Sequence, residues 1–212
     1  LDRLAEHLPN AWIEQALEAT GTASIRRRRL PAEQVVWLVI ALAIYRRQSM
    51  PEVLATLDLA LSAASAQAVS KSAVTQARQR LGAKPLAQLF DQTARAWCQQ
   101  DAEYHAWQGL SLWAMDGTTF RTPDSTNNRA HFGAQAYASG KVASYPQVRA
   151  VSITAIPTHL VSDIAFGTYA QNEMLYAKTL VGRIADHSLT VFDRGFLSAE
   201  ILLGLTLGGQ ER

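Results

Sequence analysis

Cysteine is nearly absent from this sequence. Cys98 stands alone among 212 residues, which excludes an intrachain disulfide and suits a reducing, cytoplasmic setting. Long hydrophobic runs are missing as well. The longest, Val35 to Ile44, is too short to cross a bilayer as a helix, and no secretory leader is visible, so no membrane partner is expected. Charge is sparse. Only 18% of residues are charged and the net charge is +2, so bulk charge selects no class of partner. With 48% hydrophobic residues the chain is not a disordered one, and its length allows one or two domains with a sizeable core.

The charge that is present is unevenly placed. Gly21 to Met50 holds six Arg against one Glu, and Lys71 to Lys84 holds Lys71, Arg78, Arg80 and Lys84 with no acid. Arg26, Arg27, Arg28 and Arg29 form an unbroken run, which reads either as a solvated basic turn or as an arm that contacts phosphates.

Around these patches the N-terminal half reads as helices. Leu4, Leu8, Trp12, Ile13, Ala16 and Leu17 have near-helical spacing interrupted at Pro9, with Gly21 as the C-cap. Pro31 and Glu33 suit the first turn of a helix whose stretch Val35 to Ile44 is apolar nearly all round, hence central to a bundle. Ser49 and Glu52 make a capping box. Ser62 to Ala68 reads as a loop or weak helix. Ser70 or Ser72 then caps a helix ending at Gly82, with Val74, Ala77 and Leu81 inward and Lys71, Thr75, Arg78 and Arg80 outward. A short basic helix in this position suits a helix-turn-helix recognition element, and equally an ordinary surface helix. Pro85 opens a further helix to about Gln100.

Beyond Ser111 β-branched and aromatic runs replace Ala/Leu-rich helices, so a boundary is placed near residue 108: a helical domain over 1–108 and a second domain over 109–212. Leu112 to Met115 is apolar, Asp116 ends it and Gly117 follows, which reads as a buried strand that stops abruptly. Leu189 to Phe192, Asp193 and Gly195 repeat the pattern. A carboxylate at such a position is poorly solvated unless something pairs with it. Between the two lie a long polar loop from Arg121 to Gly140, a hairpin around Pro157 and Thr158, and a helix capped by Asn172. Ser198 caps a last helix. In the loop, Asp124 reads as a turn residue rather than a ligand. Arg121, Asn127, Asn128, Arg129, Lys141 and Arg149 are not distinguished from solvated polar and charged residues by their pattern, and His105, His131, His159 and His187 lack metal-ligand spacing.

The order strand, strand, strand, helix, strand, helix gives a mixed sheet, and with the helical half an α+β (or α/β) chain. If the fourth strand lies parallel beside the first, Asp116 and Asp193 share one sheet edge, on strands ~4.8 Å apart. Carboxylates that close repel one another unless a cation lies between them, and Mg²⁺ or Mn²⁺ takes such oxygen ligands.

Three stretches carry a family resemblance. DGTTFRTPDSTNNRAHFG from Asp116, VFDRGFLSAEILLGL from Val191, and RRRRLPAEQVVWLVIALAIYRRQSM from Arg26 resemble blocks of bacterial insertion-sequence transposases of the insertion-sequence-4 type. The resemblance covers nearly the whole chain. It implies a cytoplasmic bacterial DDE transposase with an RNase H-like catalytic domain and a helical N-terminal domain that binds element ends. It implies Asp116 and Asp193 as the first two catalytic and metal-binding acids, and two Mg²⁺ or Mn²⁺ ions in the complete protein. The implied partner is double-stranded DNA, as terminal inverted repeats and target, with a homodimer as the assembly on DNA. Arg26 to Arg29, Lys71, Arg78 and Arg80 are the DNA-contact candidates. The family's catalytic Glu, in a helix with a Tyr, Arg, Glu, Lys pattern, has no counterpart before Arg212. The chain is therefore expected to be a truncated, inactive piece with an incomplete sheet. Two other readings stand beside it: a catalytically dead DNA-binding product that inhibits transposition, and an RNase H-like nuclease unrelated to transposition.

Overall fold

A computed structural model describes residues 2–23, 30–58, 70–102, 104–138 and 140–207. Its architecture is α+β, helical in the N-terminal part and built on a mixed sheet in the C-terminal part. Two compact units divide between Thr93 and Ala94.

The first unit contains α1 (Asp2–His7), α2 (Asn10–Ala19), α3 (Ala32–Ile44), α4 (Met50–Asp58) and α5 (Lys71–Leu81), and α6 (Lys84–Ala102) runs across the division. Pro9 separates α1 from α2 and sits in extended backbone as the residue before α2; a proline there sacrifices no intrahelical bond. The C-cap of α2 is Thr20 and not Gly21. Gly21 lies one step beyond, where its N–H reaches Glu18 O at 3.0 Å while that of Thr22 reaches Leu17 O at 2.9 Å, the paired bonds of a Schellman end.

Helix α3 is the hub. It packs on α2, α4 and α5, and it buries Ala32, Val35, Val36, Leu38 and Ala41. An apolar surface on most sides lets it serve several neighbours, and each buried Val or Leu contributes ~1.5–3 kcal/mol. The capping box of α4 closes through the Ser49 N–H, which donates to Glu52 Oε2 at 2.6 Å. Ser62 to Ala68 lies outside the described residues.

The second unit follows as β1 (Ser111–Arg121), α7 (Thr126–Phe132), β2 (Gln147–Ala155), β3 (Val161–Thr168), α8 (Glu173–Val181), β4 (Ser188–Phe192), a 3-10 turn (Arg194–Phe196) and α9 (Ala199–Leu207). The sheet order is β3-β2-β1-β4. Strands β1, β2 and β3 are antiparallel neighbours, and β4 returns parallel to β1. One face of the sheet, with Trp113, Met115, Val151 and Ile153, shares a core with Tyr176, Ala177 and Leu180 of α8, Ile201 of α9, Phe196 and Cys98.

Two expectations are corrected. Strand β1 does not stop at Asp116 but runs to Arg121, because pairing with β2 outlasts pairing with β4. The polar stretch 121–140 is not a plain loop: it contains α7, capped by Ser125 Oγ, which accepts from the Asn128 N–H at 3.2 Å, and closed at Gly133. Turn-forming residues dominate this stretch, and a seven-residue helix with no buried residue leaves no apolar periodicity to read.

Of the two candidate caps for α5, Ser70 is the one engaged: its Oγ accepts from the Ala73 N–H at 3.2 Å. Ser70→Ala should destabilise the first unit by about 1 kcal/mol in urea unfolding, the usual cost of losing a cap. Ser72→Ala, exposed within the first turn, should cost clearly less. Equal effects would contradict this capping assignment.

Candidate active site

The alternation along β1 buries Trp113 and Met115 and brings Asp116 to the exposed side. The parallel ladder with β4 ends where Met115 faces Phe192. Asp116 and Asp193 are therefore the first residue of each strand segment beyond that ladder. Asp116 remains paired on its other flank, opposite Ser152 of β2. Both Asp residues are exposed, which corrects the expectation of a poorly solvated carboxylate: burial along β1 ends at Met115, and β4, expected as a buried strand, has Leu189 and Val191 exposed and Phe192 only partly buried against the core.

Each carboxylate commits one oxygen to the backbone. Asp116 Oδ1 accepts from the Gly117 N–H at 2.8 Å. Asp193 Oδ1 accepts from the Gly195 N–H at 2.6 Å and so caps the 3-10 turn. Arg194 belongs to that turn, not to a continued strand. Among the described residues neither Oδ2 has a hydrogen-bond partner, so two carboxylate oxygens stand open at one sheet edge. Two oxygen donors with room for water fit a hard divalent cation. No group of three or more His, Cys, Asp and Glu suited to a metal occurs among the described residues.

The glycine beside each Asp has a spatial reason. A Cβ on Gly195 would stand 2.7 Å from Asp193 Oδ1, and one on Gly117 would stand 2.6 Å from both Cδ and Oε2 of Glu173. Either side chain would have to displace the carboxylate beside it. Sequence reasoning missed Glu173 as a neighbour of the site, although a glycine inside a strand does signal a close approach.

Glu173 begins α8, which Asn172 caps through the Met174 N–H at 3.1 Å. Its Oε1 lies 3.7 Å from Arg149 Nε. Arg149 also donates from Nη1 to Gln171 O at 3.0 Å, and its guanidinium lies over the Tyr169 ring at 4.3 Å. Its Nε is buried without a hydrogen bond. These contacts account for Arg149 as a structural residue. Arg121 lies over the Tyr145 ring. Arg129 grips Asp124 with two bonds of 2.5 and 3.0 Å and reaches Ser144 O at 2.7 Å, so Asp124 is engaged in holding its own loop. Glu200 pairs with Lys178 on the helix surface.

In the first unit Lys71, Arg78 and Arg80 are exposed on α5, opposite the buried Val74, Ala77 and Leu81. None of the three forms an ion pair with a described residue. Lys71, Thr75 and Arg78 follow one line of the helix. Arg26, Arg27, Arg28 and Arg29 lie outside the described residues.

Comparison with known proteins supplies the context. A family model described as insertion element 4 transposase, N-terminal, matches residues 1–91. Over 212 residues the chain is 37% identical to the transposase InsG for insertion sequence element IS4 of Escherichia coli K12, covering 100% of this chain and 47% of that relative. It is 36% identical to the putative transposase InsZ of the same strain, covering 98% of this chain and 68% of that relative. The chain belongs to the IS4 transposase family. It spans about half the length of InsG and two thirds of that of InsZ. No solved structure matches it. In this IS4-family chain the matched N-terminal stretch takes in α1 to α5 and the start of α6, while both Asp residues fall in the mixed-sheet unit.

The Asp124–Arg129 pair gives a pH signature. The hydrogen bond from Arg129, aided by its charge, holds the Asp124 carboxyl below its ordinary value against a smaller opposing effect of desolvation. A depressed carboxyl contributes stability above the unfolded-state pKa and loses it as pH falls through the folded-state pKa. The NMR titration midpoint of Asp124 should therefore rise in Arg129→Gln. An unchanged midpoint would contradict the pairing.

Proposed function

We propose that the chain is the end-binding and first catalytic portion of a DNA transposase, and that Asp116 and Asp193 are two of the acids holding the divalent metals of an RNase H-like, DDE-type site. The observation that carries this reading is the placement of both Asp residues immediately past one parallel strand pair, each with an open oxygen. Family membership supports the transposase class. Without a cation, carboxylates at the ends of strands ~4.8 Å apart repel one another; with Mg²⁺ or Mn²⁺ they become a ligand set. A divalent ion held there by Asp116 and Asp193 would supply Lewis acidity and activate water for displacement at a phosphodiester.

The protein's part is orientation. The Gly117 and Gly195 amides fix one oxygen of each carboxylate, which leaves the other in a set direction, and that pre-organisation is what positional catalysis needs. A third acid, the Glu implied by the family pattern, comes in this reading from the additional length of the complete protein. The 212 residues by themselves bind DNA and do not cut it.

In the helical unit, Lys71, Arg78 and Arg80 are cations without ion-pair partners among the described residues, all on one short helix, which suits phosphate binding at element ends. Arg26 to Arg29 are the second set of phosphate-binding residues in this reading. The substrate is double-stranded DNA carrying terminal repeats, and the working assembly is a homodimer on that DNA, in the bacterial cytoplasm.

In the complete transposase, Asp116→Asn or Asp193→Asn should abolish Mg²⁺-dependent cleavage at the element ends and leave end binding within about threefold of the wild type. Replacing Lys71, Arg78 and Arg80 with Ala should weaken binding and lower the salt slope by ~0.9 for each phosphate that is no longer neutralised. Cleavage at the wild-type rate in either Asn variant would overturn the site assignment.

A further inference from the structure

We propose that Glu173, anchored by Arg149, is a positioning residue that sets the Asp116 carboxylate through Gly117; this rests on the metal-site reading above. The place of Glu173 at the helix start does not by itself turn its side chain toward β1; Arg149, 3.7 Å from its Oε1, draws it there. An acid in the first turn of α8 suits the helix N-terminus, but that role is satisfied by a carboxylate turned out to solvent. Instead the Glu173 carboxylate is laid against β1, so close that a Cβ on Gly117 would meet it at 2.6 Å.

Gly117 is the residue whose N–H holds Asp116 Oδ1. The Glu173 carboxylate packed over Gly117 on one face of the strand, and pairing with Val151 of β2 along the sheet, flank the 116–117 peptide on two sides. The orientation of that N–H sets the orientation of the carboxylate. Arg149 completes the support. It lies on β2 in register opposite Thr119 of β1, sits over Tyr169, is tied to Gln171 O and faces Glu173. The chain of contact runs from Tyr169 and Gln171 through Arg149 and Glu173 to Gly117 and then Asp116. Asp193 is held by its own Gly195 turn, so the two acids have separate supports.

The test is Mn²⁺ binding to the 212-residue chain, followed by electron paramagnetic resonance of the free ion, together with the Gly117 amide proton shift in the metal-free chain. Glu173→Ala should weaken Mn²⁺ binding at least tenfold, the usual effect of removing an outer support of a metal ligand (about 10–100-fold), and should move the Gly117 amide upfield as its bond to Asp116 loosens. Glu173→Gln, which fills the same space against Gly117, should stay within about threefold of wild type and keep the amide shift. Asp116→Asn is the control for the site itself.

An unchanged affinity and amide shift in Glu173→Ala would overturn the positioning role. So would a Gln variant as impaired as the Ala variant, since Glu173 would then act as a ligand through its charge. Wild type binding Mn²⁺ no better than Asp116→Asn would sink the metal-site reading instead, and the amide shift would then decide by itself whether Glu173 holds the 116–117 peptide.

Discussion

The candidate site depends on one short parallel ladder, the five residue pairs from Ser111 opposite Ser188 to Met115 opposite Phe192. Parallel neighbours need a crossover, and here it is α8, whose Tyr176, Ala177 and Leu180 are buried in the same core as Trp113, Met115 and Phe196. That packing sets the register of β4. A slip of one residue would exchange the two faces of the strand and move Phe192 away from the core it packs against. The register that packs Met115 and Phe192 together therefore also brings Asp116 and Asp193 level at the end of the ladder. Hydrophobic packing, which carries no chemical information, places the groups that do.

Glycine then refines what the ladder places. At Gly195 the missing side chain lets Asp193 fold back on its own turn; at Gly117 it lets a distant helix deliver a carboxylate to the back of β1. Both positions look alike in sequence, an Asp followed closely by Gly, yet they serve different supports. In the helical unit a similar economy operates. Val74, Ala77 and Leu81 fix α5 into the bundle, and its remaining surface is left for Lys71, Arg78 and Arg80.

Much of this is legible in the sequence. The helical half, the hairpin at Pro157 and the caps at Asn172 and Ser198 follow from apolar periodicity and capping residues, which are local signals, whereas the first strand as the parallel partner of β4 stays open until the sheet order is seen. The two Asp residues are conspicuous because each interrupts an apolar run. What is not legible depends on partners far apart in the chain. That β1 continues past Asp116 is decided by β2, about thirty residues later, and the closeness of Glu173 to Gly117 by the docking of α8. Helix α7 is hidden because it buries nothing. Arg149 is indistinguishable from a solvated cation until Tyr169, Gln171 and Glu173 are seen around it.

The central claim is that the β1–β4 ladder brings Asp116 and Asp193 together to bind one divalent cation. The most direct measurement is anomalous scattering from crystals of the chain soaked in Mn²⁺. The account predicts a manganese peak within ordinary coordination distance, ~2.0–2.3 Å, of a carboxylate oxygen from each residue. Manganese bound to only one of the two, or bound elsewhere with both Asp side chains turned apart, would contradict it.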